Sequence, residues 1–362
     1  MTLIVGYIHS DSSIHIVADS AETIDSIDIE KTDYTNESFN SFGEIIHSDN
    51  DSLTLESAQK IFNLNNSIII TFSGQVYEGN GVLRDLKFEI ENSKDKKTSD
   101  IVSDYFIKRK PSLSEFIIGF RENNNPKIYY YKNEGCFLTG NGSYVLLGSG
   151  SQNELLSSPL IYTLESLNKS RTTSDNLSIS LISIIQCCSL NALTFKSGVG
   201  GFFNGAYINS NGFHWAKDTC YSMYSSKHFE KGEKFIINKF NRDNVTYVTS
   251  PKIKKSAFFP NDFMLKTSPK EWVEKWSTEL DNLNTNCILD YYSFICYDRR
   301  IVTLISRNNE RFEKNITIKQ INVNKMDVGI SGLVIQNLLS YPIDPATKEE
   351  LTDGFGVQFN YL

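Results

Sequence analysis

Three hairpin patterns, four stretches of helical period and the polar turns between them predict an α+β fold, a sandwich of strands with helices outside. Leu3 to Ile8 and Ile14 to Ala18 are short apolar strands around the turn Ser10-Asp11-Ser12-Ser13. Lys60 to Leu64 and Ser67 to Phe72 repeat that pattern across Asn65-Asn66. From Val76 to Ile90, apolar residues at 76, 82, 83, 86 and 90 keep a helical period that Gly79 and Gly81 break early. A charged loop, Ser93 to Lys97, leads to a second helix, Ser99 to Lys108, ended by Pro111. Phe116 to Phe120 and Lys127 to Tyr131 form a third hairpin, and Tyr144 to Leu147 is a strand entering Gly148-Ser149-Gly150. A third helix covers about 152 to 167. The fourth starts from a Ser174/Asp175 cap and carries Leu177, Leu181, Ile184, Ile185 and Cys188 on one apolar face. Strands at Gly205 to Ile208 and Gly212 to Ala216 follow.

The chain has 362 residues, 40% hydrophobic and 22% charged, with a formal net charge of −7. That length suits one large domain, residues 1–235, with an appendage, residues 236–362. No apolar run approaches the ~18 residues needed to span a bilayer. The start is too polar for a secretory signal, so no membrane partner is expected. Six cysteines at 136, 187, 188, 220, 287 and 296 lack C-x-x-C spacing and read as reduced thiols of a cytoplasmic protein. Five scattered histidines give no metal-ligand spacing, so no metal is expected. Net acidity argues against nucleic acid as a partner.

Thr2 stands directly after Met1. Cells usually remove Met before a small residue, which would leave Thr2 with an α-amine beside its own hydroxyl. Such a residue is nucleophile and general base in one. An α-amine titrates near ~8, so it can accept a proton close to neutral pH. Three further motifs follow: Ala18-Asp19-Ser20-Ala21-Glu22-Thr23, Lys60 opening a strand that leads to Ile68 through Gly74, and Leu147-Gly148-Ser149-Gly150-Ser151. In this order and spacing the chain resembles a proteasome β-type subunit over about residues 2–225, closer to the bacterial proteasome-like peptidases than to the eukaryotic core.

The resemblance implies a four-layer αββα sandwich of the N-terminal nucleophile (Ntn) hydrolase type, with a C-terminal α+β appendage. It implies that Thr2 is the nucleophile, that Asp19 holds Lys60, and that the Lys60 charge lowers the proton affinity of the Thr2 hydroxyl. The Gly74 amide would point at the developing oxyanion. Ser149 would tune the Thr2 amine or cap the helix that follows, and both roles are compatible. Phe72 would be the floor and Glu22 the wall of the pocket for the residue on the acyl side of the cut bond. The partners implied are a peptide or unfolded-protein substrate, other copies in a homo-oligomeric ring, and an ATPase unfoldase, with no organic cofactor.

Two departures stand out. Where the eukaryotic-type pattern has an Asp three residues before a Ser-Gly, Thr194 precedes Lys196-Ser197-Gly198. Asp19 and Lys60 are 41 positions apart, and the insertion at about 24–57 is acidic, with Lys31 as its one basic residue. Its composition reads as a solvated loop, while its ends at the two site residues read as an acidic lid. Beyond 235, Pro251, Pro260 and Pro269 and the basic run Lys252 to Lys255 suggest a linker. A helix at 269–283 with a Trp272, Trp276, Leu280, Leu283 stripe is expected, then strands at 287–297, 300–306 and 315–323. The function expected is a threonine-type peptidase of a proteasome-like assembly. The alternatives are a non-catalytic scaffold subunit and an amidase acting on a small molecule.

Overall fold

The computed structural model describes residues 2–25, 48–49, 52–56, 59–93, 95–167, 172–225, 234–242, 245–249, 256–258, 278, 289–307, 316–322, 325–330 and 358–361. Among them the architecture is mixed α+β, with four α-helices and five sheets. In chain order the first strands are β1 (Ile4–Ile8), β2 (Ile14–Asp19), β3 (Ala21–Asp25), β4 (Ser48–Asp49), β5 (Ser52–Glu56), β6 (Ile61–Asn65) and β7 (Ile68–Gly74). Helices α1 (Val76–Asn92) and α2 (Thr98–Arg109) follow, then β8 (Ser114–Glu122), β9 (Asn125–Lys132), β10 (Glu134–Leu138) and β11 (Tyr144–Leu147). Helices α3 (Glu154–Leu167) and α4 (Ser174–Ala192) precede β12 (Phe203–Asn209), β13 (Gly212–Trp215) and β14 (Thr219–Tyr224).

One five-stranded sheet has the order β11-β1-β2-β12-β13, and a second has β10-β9-β8-β7-β6. Alternation along the strands sorts their side chains into separate interiors. Ile4, Ile8, Ile14 and Ile16 of the first sheet meet Ile69, Ile117 and Ile128 of the second. Gly6 keeps the two sheets close, since a Cβ there would lie 3.0 Å from the Ile117 side chain. The other face of the second sheet, with Ile68, Ile70, Phe116 and Ile118, packs on Val82, Leu83 and Leu86 of α1 and Val102 and Phe106 of α2. The other face of the first sheet, with Leu3, Val5, Tyr7 and Val17, packs on Leu156 and Leu160 of α3 and on α4.

A seven-stranded sheet covers the far side of α4. It comprises β14, β15 (Lys234–Arg242), β16 (Val245–Thr249), β17 (Ser256–Phe258), β18 (Tyr291–Cys296), β19 (Ile301–Ser306) and β22 (Gln358–Tyr361), in the order β17-β16-β15-β14-β18-β19-β22. Strands β20 (Ile316–Asn322) and β21 (Lys325–Ile330) pair separately. Tyr221, Met223, Ile237, Val248, Ile295 and Leu304 join α3 and α4 in one core.

Several expectations need correction. Helix α1 runs unbroken through Gly79 and Gly81. Gly79 serves packing, because a Cβ there would fall 2.2 Å from the Phe72 ring. The cap of α4 is Thr173, whose side chain accepts from the Asn176 N–H at 3.3 Å. That helix is buried on every side from Leu177 to Leu190, not on one face. Its serines meet the demands of burial by donating back along the helix, Ser180 to the Asn176 carbonyl and Ser183 to that of Ile179. Helix α3 starts at Glu154, after a 3-10 turn over Ser149–Gln152. The described ends of the acidic insertion are strands: β3 pairs with β5, Ala21 opposite Glu56. Strand β17 lies within the stretch from 251 to 269 that reads as a linker. The helix at 269–283 (apart from residue 278), the basic run 252–255 and the middle of the insertion lie outside the described residues, as does Met1.

Candidate active site

Strand register brings Thr2 to its neighbours. Ile4 pairs with Leu147 on one side and Ala18 on the other, so the residues just before β1 lie beside those just after β11 and β2. The Asp19 N–H donates to the Leu3 carbonyl at 3.2 Å, and the Gly150 N–H donates to the Thr2 carbonyl at 3.0 Å. Gly148, at φ 84°, is required by this closeness: a Cβ would lie 2.2 Å from the Thr2 carbonyl oxygen. The Gly148 N–H in turn donates to Glu115 Oε2 at 2.7 Å, and Glu115 is 3.2 Å from Lys132 Nζ.

Lys60 arrives from the other sheet, one residue before β6. Its Nζ donates to Thr2 Oγ1 at 2.9 Å, to Asp19 Oδ1 at 2.7 Å and to the Ala21 carbonyl. An ammonium has three N–H donors, and all three have acceptors here. Asp19 receives only donors: Lys60 and the Leu3 N–H (3.2 Å) on Oδ1, and the Gly200 N–H (3.0 Å) on Oδ2. Thr2, Asp19 and Lys60 are 6%, 0% and 10% exposed, the last two as side chains, so little water screens their charges. Burial pushes the Asp19 carboxyl above its ordinary value, against the pull of Lys60 and of the two backbone N–H groups.

The Thr2 N–H donates to Ser149 Oγ at 3.3 Å. With Met1 attached this nitrogen is a peptide N–H, standing in for the α-amine that processing would leave. Gly74 ends β7 at φ 114°, and a Cβ there would lie 2.2 Å from the Leu113 carbonyl. The preceding Ser73 sits against the Gly148 turn, its Oγ 2.9 Å from where a Gly148 Cβ would be. Thus Lys60 contacts both Thr2 and Asp19, Ser149 contacts the Thr2 nitrogen, and Ser73, the residue before Gly74, lies against the Gly148 turn. Glu22 lies on β3, one residue past Ala21. Phe72 is buried, stacked on Phe62 with centroids 5.8 Å apart and tilted against Phe116 at 6.0 Å.

Sequence reading missed the loop that holds Asp19 from behind. Gly200 and Gly201 have φ of 131° and 70°, and the Gly200 carbonyl accepts from the Ser20 and Ala21 N–H groups. Glu56, at the end of the insertion, accepts from the Phe202 N–H at 2.6 Å. Thr194, in place of the expected Asp, donates to the Val199 carbonyl at 2.9 Å and pairs with Ser189 at 2.7 Å, shaping the same loop. The run Gly198-Val199-Gly200-Gly201 was the available signal, since such a run marks backbone that other residues cannot adopt.

Among the described residues no group of three or more His, Cys, Asp or Glu could hold a metal, and no helix is long and apolar enough to cross a membrane. Residues 45–158 match the family model described as Proteasome subunit, which makes this a proteasome-like segment. The match covers under a third of the 362-residue chain and includes Lys60, Phe72, Gly74 and Ser149, but not Thr2, Asp19 or Glu22. No curated protein matches the chain.

Proposed function

We propose that the chain is a threonine-type peptidase of a proteasome-like assembly, active once Met1 is removed. The observation that carries this reading is Lys60 Nζ held between Thr2 Oγ1 and Asp19, at 2.9 and 2.7 Å, with its third donor on Ala21. A fixed cation on a hydroxyl oxygen favours the alkoxide, and the freed α-amine would take the hydroxyl proton. Thr2 Oγ1 attacks the peptide carbonyl carbon, and the resulting oxyanion turns to the Gly74 N–H, a donor worth about 3 kcal/mol in comparable sites. Collapse expels the amine product, which leaves with the proton held by the α-ammonium. Water then attacks the ester, giving its proton to the α-amine, and Thr2 is released. Ser149, in contact with the Thr2 nitrogen, orients that base.

The proposal extends to the layers and the assembly. Two facing sheets with α1 and α2 on one side and α3 and α4 on the other support the four-layer αββα sandwich of the Ntn hydrolases. The proteasome-subunit match supports a homo-oligomeric ring, with peptides or unfolded protein as substrate and an ATPase unfoldase as a candidate feeder. Five cysteines with free thiols among the described residues support a reducing compartment, the cytoplasm. The test is intact mass of the protein from its native host, together with labelling by a threonine-directed electrophile. Loss of one Met, with label on Thr2 and none in Thr2→Ala, is the expected result. A retained Met1 in unlabelled protein would leave a scaffold subunit. Label on Thr2 with amide but no peptide turnover would leave an amidase.

A further inference from the structure

A buried polar junction joins the seven-stranded sheet to the residue before Lys60. Thr246 of β16 is fully buried, and its Oγ1 accepts from Asn204 Nδ2 at 2.6 Å. The same hydroxyl lies 2.8 Å from Asn241 Oδ1 and 3.1 Å from Gln59 Oε1. A hydroxyl has one proton, so the two acceptors share it. Gln59 is 4% exposed, and its Nε2 reaches over to the Ile61 carbonyl at 3.4 Å. Its side chain therefore spans Lys60, tying the residue before the lysine to the carbonyl after it. The β6–β7 ladder begins only at Ile61 opposite Thr71, so it does not hold Lys60 itself. Asn204 belongs to β12, beside the Phe203 that pairs with Asp19, and its Oδ1 accepts from Lys239 Nζ of β15 at 3.1 Å. The junction thus reaches the residue before Lys60 and the strand paired with β2, which carries Asp19.

We propose that Gln59 and Thr246 are positioning residues that set Lys60 against Thr2 and Asp19, which makes the C-terminal sheet a structural part of the active site. The catalytic consequence rests on the peptidase reading above; the placement of Lys60 does not.

Gln59→Met is the sharpest variant. It keeps the length and packing of the side chain and removes the amide, while the Thr246 hydroxyl keeps Asn241 as acceptor, so little is left unsatisfied. Thr246→Val removes the junction, and Thr246→Ser restores the hydroxyl. The expected result is a fall in kcat and in the Thr2 labelling rate on the order of 100-fold in Gln59→Met and Thr246→Val, the scale of an ångström-sized misplacement. KM stays near wild type, and Thr246→Ser recovers most of the rate. A residue that only supported folding would lower the labelled fraction and the melting temperature, leaving the rate per labelled site unchanged. The second measurement is the crystal structure of Gln59→Met, in which Lys60 Nζ should leave hydrogen-bonding distance of Thr2 Oγ1. Wild-type rates in labelled Gln59→Met, or Lys60 still on Thr2 and Asp19 in its structure, would overturn the inference. If wild-type protein never labels at Thr2, the peptidase reading fails alone and the crystal structure still decides the placement of Lys60.

Discussion

Asp19 accepts from Lys60 and two backbone N–H groups with no side-chain surface of its own exposed, so the two charges depend on each other. Lys60→Met removes the cation and leaves the carboxylate buried, which should cost about 3 kcal/mol at neutral pH and abolish Thr2 labelling. Burial already raises the Asp19 carboxyl, and loss of Lys60 removes the largest opposing influence. The variant should therefore regain stability as pH falls and the carboxyl protonates. Urea unfolding at pH 7 and at pH 5 checks this; a deficit that stays constant or grows on acidification would contradict it. The proposed pocket positions, Phe72 and Glu22, carry a separate prediction. Phe72 is packed between Phe62 and Phe116 and would make a shallow floor under the peptidase reading, while Glu22 brings a negative charge to β3. Small neutral or basic residues should be preferred before the cut, and a peptide-library profile favouring acidic or large aromatic residues would refute it. At this scale the four touching residues were legible because each sits in a short local motif. Gly200 was not, because its bond to Asp19 joins positions 181 apart, and the glycine run around it marks unusual backbone without naming its partner.

Between elements, the tightest joint is the turn from β11 into the 3-10 segment, where Gly148 faces the Thr2 carbonyl. Gly148→Ala would place a methyl 2.2 Å from that oxygen, on a residue at φ 84°. Backbone strain alone costs about 1–2 kcal/mol, and the clash must also move Thr2. Labelling should fall on the order of 100-fold while the fold survives. Gly81→Ala is the internal control: nothing lies within 4 Å of its Cβ position, and it is inside α1. It should stabilise the protein by roughly 0.5–1 kcal/mol through helix propensity. Thermal melts and labelling rates of the two variants separate the effects; equal behaviour would mean that the Gly148 turn yields. These glycines also show why the first helix was misread. A glycine breaks a helix on propensity grounds, yet Gly79 lies where the Phe72 ring needs the space, a tertiary demand with no local signature. Helix α4 was misread for a related reason. Its serines look like a solvent face, but they bond their own helix under a sheet that comes later in the chain.

That sheet decides the behaviour of the whole molecule, and it was the least legible part. Strand β15 carries Lys239 in its interior, and a lysine among Asn238, Phe240 and Asn241 hides the alternation of a buried strand. Lys239 is 1% exposed, over the Tyr221 ring and bonded to Asn204, and burial pulls it down to about 7 despite the favourable charge of Asp218. A lysine whose folded value lies below 10.5 binds fewer protons folded than unfolded in that interval, so stability rises with pH from about 7 upward. His15, held between Ser13 and Ser178, is lowered by burial to about 3, and stability rises through its window as well, from about 3 to 6.5. Above 9 the buried thiols reverse the trend, because burial raises Cys188, Cys220 and Cys296 to about 12 and folding then retains protons that the unfolded chain loses. Burial also raises Asp19 and Asp290, which oppose His15 on the acid side, so the window from 7 to 9 isolates Lys239 best. Under reducing conditions, unfolding free energy should climb between pH 7 and 9 by up to ~1.4 kcal/mol per pH unit, peak near 9 and then fall. Lys239→Met should flatten that climb and keep the rise below pH 6.5. Denaturant titrations across pH 5 to 10 read both slopes. A wild-type curve flat from 7 to 9, or the same climb in Lys239→Met, would show that Lys239 keeps its proton in the folded interior and that its hydrogen bond to Asn204 is charge-assisted.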